Sequence, residues 1–348
     1  MRKWKKKQWL FRRQKKIMRK LSRRKKNHYK NPSKCSYKKG KNKRFMLEAP
    51  KVLCIKEDNE AAMEFFSLVF ETIKKCQKGE SLFFDLSKIE IVSPAAIMYL
   101  IAVINNTRRI KMLNIKCSGN VPVNNIARKQ FESVGFYNYV NITKRFAETK
   151  DPERIRILHG KESNVAITSS ICDFVNEKCS SNNLLLTKRL YPMLVELMTN
   201  VKQHAYHKDM GTMNPNWYIY VENTTNYLEF VFLDTGRGIP ATVRKNWAEK
   251  LITVIGLDKS DTTYIVAALR GEFRTETKEG HRGKGLPEIY NASVNPKSRI
   301  NDLVIVSGGG LCKDNSDGTI DEKSIAKNFE GTLFSWKFEK EVQCNVNN

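Results

Sequence analysis

EFVFLDTGRGIP, running from Glu229 to Pro240, decides the fold of the second half of the chain. Its first half is apolar and rich in aromatic and β-branched residues, as in a buried strand. That strand delivers Asp234 to its end. Gly236 and Gly238 follow, and they let the backbone turn tightly and approach a ligand closely. Upstream, Tyr218–Glu222 pairs with Tyr227–Leu233 as a hairpin around the polar turn 223–226.

Three further signals flank this stretch. LYPMLVELMTNVKQHAYH, Leu190 to His207, places Leu194, Leu197, Met198 and Val201 on one helical face. Glu196, Asn200 and His204 fall at i, i+4 and i+8, so a carboxylate, an amide and an imidazole share another stripe. GHRGKGLPEIY, Gly280 to Tyr290, is a glycine-rich loop entering a short helix. Such a loop offers backbone N–H groups to an anion, and Arg282 and Lys284 add positive charge. Last, Phe329-Glu330-Gly331-Thr332 leads into the strand Leu333–Phe338. Asn200 precedes Asp234 by 34 residues, Asp234 precedes Gly283 by 49, and Gly283 precedes Gly331 by 48.

Four such boxes in this order resemble the GHKL superfamily, the Bergerat ATP-binding fold of gyrase-type topoisomerases, MutL, sensor histidine kinases and anti-sigma serine kinases. The resemblance implies ATP and Mg²⁺ as cofactors and gives each residue a role. Asn200 would ligate Mg²⁺. Asp234 would accept from the adenine amino group, with Gly236 and Gly238 admitting the base. Gly283 and Gly285 would cradle phosphates beside Lys284 or Arg282. Thr332 would support the adenine end. Glu196 would orient and deprotonate the attacking water or hydroxyl. His204 matches an Asn-x-x-x-His pattern of the anti-sigma branch, as a phosphate contact or a structural hydrogen bonder. The long polar segment 241–279 corresponds to an ATP lid.

The first half alternates. Lys51–Ile55 reads as a strand, Asn59–Lys75 as an amphipathic helix and Ser81–Leu86 as a strand. Ala95–Asn106 reads as an apolar helix, Asn114–Ser118 as a strand, and Val123–Val134 as a helix closed by Gly135. Asp85-Leu86-Ser87, Ile91 to Ile97 and Gly119 to Pro122 resemble a STAS domain, the fold of anti-sigma-factor antagonists. Regulated members of that family carry a phosphate-accepting serine where Pro94 stands, in Ser93-Pro94-Ala95-Ala96. The expectation is a docking or dimerising domain that is not a phosphorylation switch.

The chain's charge is concentrated. Residues 1–46 contain 22 of the 62 Lys and Arg and no Asp or Glu, and the remainder carries 40 basic against 36 acidic groups. The expectation for such an arm is disorder alone and a helix induced where a polyanion, anionic surface or acidic protein neutralises it, with a solubilising tail that has no dedicated partner as the alternative. Arg2, Lys3, Lys5, Lys6, Lys7, Arg12 and Arg13 are its candidate contacts to DNA, RNA or an anionic membrane surface. The longest apolar run, Ala95–Ile104, is too short to cross a bilayer. The N-terminus has no apolar signal core, and eight scattered cysteines suggest reduced thiols, so the expected location is cytoplasmic.

The expected fold class is therefore α/β. It comprises a basic arm (1–46), a STAS-like domain (47–145), a linker (146–164), a GHKL sandwich (165–342) and a tail (343–348). The expected function is that of an ATP-binding, ATP-hydrolysing regulatory protein whose lid state is read by a protein partner or by its own STAS-like domain. A second copy of the chain is one candidate partner. Two alternatives stay open: a serine/threonine kinase of the anti-sigma type, and a nucleic-acid-binding adaptor with ATP as a structural ligand.

Overall fold

The computed structural model describes residues 43–56, 59–139, 151–179, 184–204, 212–243, 260–272, 285–295, 298–315 and 317–340. The N-terminal elements are β1 (Arg44–Glu48), β2 (Val52–Leu53), α1 (Glu60–Lys75), β3 (Ser81–Asp85), β4 (Ile91–Val92), α2 (Pro94–Asn106), α3 (Arg108–Leu113), β5 (Lys116–Gly119) and α4 (Asn125–Ser133). Strands β1, β3 and β5 form a parallel sheet with β3 central, and β2 pairs with β4, also in parallel. Local chemistry sets the helix starts. The Asn124 side chain accepts from the N–H groups of Ile126 and Ala127, and Ser93 accepts from Ala96 N–H with Pro94 in the first turn of α2.

Two expected boundaries move. The strand RFMLE, Arg44–Glu48, crosses the expected limit of the basic arm at residue 46 and pairs along its whole length with β3. Its Phe45 and Leu47 are buried, so those two side chains drive the segment into the core despite the basic run before it. The expected strand 51–55 contracts to Val52–Leu53.

The C-terminal elements are β6 (Arg154–Gly160), α5 (Val165–Lys178), α6 (Leu184–His204), β7 (Trp217–Asn223), β8 (Tyr227–Asp234), α7 (Asp261–Leu269), α8 (Gly285–Ser293), β9 (Ile300–Asp314) and β10 (Ile320–Glu339). The sheet is antiparallel, in the order β6-β7-β8-β10-β9. Its edge strand β6 lies within the expected linker 146–164. RIRILHG is charged and short, as edge strands commonly are.

Both faces of this sheet are covered. Ile219, Phe232, Phe334 and Ile305 face the apolar sides of α5, α6, α7 and α8. One register position along, Tyr218, Leu233, Leu333 and Val306 face the core shared with α1 and α2. Helix α2 is thus enclosed by the parallel sheet's domain on one side and the antiparallel sheet on the other. Every residue from Ala95 to Ile104 is buried, which explains a ten-residue run with no polar stripe. Tyr99 stacks on Phe329 with ring centroids 4.3 Å apart. Lys56 bonds both Glu229 and Ser335 across the same boundary. Among the described residues, no helix is long and apolar enough to cross a membrane.

Candidate functional site

Strand register builds the site. Trp217 stands opposite Asp234, Asp234 opposite Thr332, and Thr332 opposite Ser307. These four residues form one row across four strands, on the face covered by α6. Directly opposed residues on neighbouring strands bring their Cβ atoms to about 4.5–5.5 Å. The sheet therefore makes neighbours of Asp234 and Thr332, which lie far apart in sequence. The Trp217 indole donates to Glu162 O at 2.8 Å and fixes one end of the row.

Asp234 lies at the end of β8, nearly buried. The Gly236 N–H donates to its Oδ1 at 2.6 Å, and Oδ2 takes no hydrogen bond from a described residue. Burial pushes the carboxyl up to about 6, and the Gly236 bond opposes that rise only in part. A buried carboxylate oriented by its own turn has the chemistry to accept from a hydrogen-bond donor.

The glycines serve this carboxylate's packing. Gly238 has φ +84°, and a Cβ there would lie 2.8 Å from Ser307 Oγ. Gly331 has φ +108°, and a Cβ would meet the Asp234 carbonyl at 2.2 Å. The β8 and β10 backbones are thus pressed together where Asp234 ends its strand. Gly236 lies against the Asp234 carboxylate, where a Cβ would stand 2.9 Å from Oδ1.

Two residues of this site escaped the sequence reading. Ser307 is fully buried. Its hydroxyl accepts from Ile239 N–H at 2.9 Å and lies within hydrogen-bond distance of Gly331 O and Thr332 Oγ1. It ties the glycine turn to β10. The signal was present in VIVSGGG, where a polar residue and three glycines interrupt an apolar strand. Thr235 exchanges hydrogen bonds with the backbone of Asn216 and donates to Asn214 O at 2.7 Å.

Glu196 and Asn200 occupy α6, both half-buried beside the stripe Leu194, Leu197, Met198 and Val201 that packs on the sheet. Thr332 is buried. Gly285 opens α8, which packs against α6 and β9. Arg282, Gly283 and Lys284 lie outside the described residues, as do the His204 side chain and Arg2, Lys3, Lys5, Lys6, Lys7, Arg12 and Arg13 of the arm.

The polar segment expected over 241–279 contains a buried helix. In α7, residues Tyr264 to Leu269 are all buried. Ser260 caps it, and Asp261 accepts from Gly309 N–H at 2.6 Å, docking the helix on the triple glycine of β9. The helix is buried on nearly all sides, so its short sequence DTTYIVAAL carries no polar and apolar faces for a periodicity to show.

Among the described residues, no group of three or more His, Cys, Asp or Glu is placed to hold a metal ion. No protein-family model matches the chain, and no curated protein matches it either.

Proposed function

We propose that the chain is an Mg-dependent, ATP-hydrolysing regulatory protein of the cytoplasm. Its C-terminal part is a GHKL-type nucleotide site and its N-terminal part a STAS-like platform. The register row carries this reading. Asp234 and Thr332, assigned to the adenine end from separate motifs, are cross-strand partners on the face covered by the helix bearing Glu196 and Asn200.

The donor set fits the nucleotide. Asp234 offers an oriented acceptor to the adenine amino group, and Asn200 offers a hard oxygen donor of the kind Mg²⁺ takes alongside phosphate and water. When bound, the metal would offset phosphate charge. Glu196 would take the proton of the attacking water.

Phosphotransfer to the chain's own N-terminal domain is disfavoured. Pro94 lacks a hydroxyl, and Ser93 is occupied in capping α2. The experiment is phosphate release by the purified full chain, with and without DNA or RNA. Turnover supports an ATPase, and stimulation by a polyanion assigns the arm its partner. ATP binding without turnover under any of these conditions favours the adaptor reading.

A further inference from the structure

The row containing Asp234 is held from behind by the other half of the molecule. Helix α2 bonds the chain on both sides of that carboxylate, within β10 on one side and at the segments that follow β8 and precede β7 on the other. On one side, Tyr99 Oη donates to Glu330 O at 3.2 Å and accepts from Glu330 N–H at 3.0 Å. Its ring stacks on Phe329. Both peptide groups of Glu330 are thereby bound to a single phenol. The next residue, Gly331, is the one whose backbone is pressed against the Asp234 carbonyl. On the other side, Asn106 Nδ2 donates to Thr235 Oγ1 and to Asn214 O, each at 3.3 Å, and Asn106 O accepts from Asn214 N–H at 2.9 Å. Thr235 directly follows Asp234. Tyr99 and Asn106 are 1% and 2% exposed, so water does not replace either set of bonds.

We propose that Tyr99 and Asn106 are positioning residues of the Asp234 site and set its base selectivity. They act from the N-terminal domain, through the Glu330–Gly331 backbone and the Thr235 hydroxyl. This inference rests on the nucleotide reading and deepens it. A carboxylate held in one place accepts from the adenine amino group and opposes the guanine carbonyl oxygen that occupies the same position. A carboxylate free to shift by a few tenths of an ångström loses part of the first contact and relaxes the second, so selectivity falls faster than overall binding. By linkage, nucleotide and the docking of α2 favour each other equally.

The test uses full-length Tyr99→Phe and Asn106→Ala, with ATP and GTP affinities measured by equilibrium titration. Tyr99→Phe keeps the ring and its stacking and removes only the hydroxyl. The expected result is a fall of about 3–10-fold in the ATP-to-GTP affinity ratio for each variant, the factor one buried hydrogen bond supplies. A purely structural role would lower both affinities together and leave the ratio unchanged. If Asn106→Ala does not fold, Tyr99→Phe decides alone. An unchanged ratio in a chain that binds ATP overturns this inference and leaves the nucleotide reading standing. Absence of ATP binding in the wild type overturns both.

Discussion

At the scale of the residue, the buried charge of Asp234 costs stability while the proposed nucleotide site requires it. Its carboxyl is raised to about 6 by burial, against an unfolded value of about 3.9. Below about pH 4 both states are protonated and the group costs nothing. As pH rises from about 4 to 6, the unfolded chain ionises first and the folded state loses stability; above 6 the loss is complete. The span corresponds to about 3 kcal/mol. Denaturant unfolding of wild type and Asp234→Asn at both pH values should therefore show the stability difference moving by roughly that amount toward the variant between pH 4 and pH 7. A constant offset from the amide does not affect this slope. Over the same window ATP affinity should follow the opposite course, weakening as pH falls through about 6 and the charged acceptor is lost. A difference that does not vary with pH would show that the carboxylate is not desolvated.

At the scale of the element, α6 carries its packing stripe and the residues of its proposed chemistry on different faces. Leu194, Leu197, Met198 and Val201 hold it to the sheet, while Glu196 and Asn200 lie off that stripe. Both Ala variants should fold. Glu196→Ala should keep nucleotide binding and lose about 10²–10⁴-fold in turnover. Asn200→Ala should weaken Mg-ATP far more than metal-free ATP. Steady-state turnover and titrations with and without Mg²⁺ distinguish these outcomes, and normal turnover in Glu196→Ala removes its assigned role. Helix α7 gives a second expectation. Its run Tyr264–Leu269 is buried and Asp261 is bonded to β9, so its amides should exchange slowly without nucleotide. Rapid exchange there would return the whole of 241–279 to a mobile lid. The helices with a clear apolar stripe, α1 and α6, were legible in the sequence, as was the β7–β8 hairpin around its polar turn. Edge strands β1 and β6 were hidden because charged residues alternate with their buried ones. Strand β9 was hidden because three glycines break its pattern, and they are required by contacts with Asp261 and Thr262 that no local window contains. Asp234, Gly238 and Thr332 were legible through their motifs. Ser307 and Thr235 were not, because their roles exist only once strands are in register.

At the scale of the whole molecule, the two halves share one core. The all-apolar run of α2 gave its burial but not its second cover, since a sequence does not show which surface closes over a helix. With Tyr99 between Phe66 and Phe329, and Lys56 bonded to Glu229 and Ser335, the domains should unfold together. Tyr99→Ala should cost about 3–5 kcal/mol in a single transition seen alike by far-ultraviolet dichroism and tryptophan fluorescence. Two separated transitions would mean that the interface is not part of the cooperative unit. Equilibrium titration of the full chain with Mg-ATP, beside Asp234→Asn, tests the proposed base-selective nucleotide site at Asp234. Saturable ATP binding by the wild type, reduced at least about tenfold in a variant with unchanged dichroism, is the predicted result. No ATP binding by the wild type, or equal binding by the variant, would contradict it.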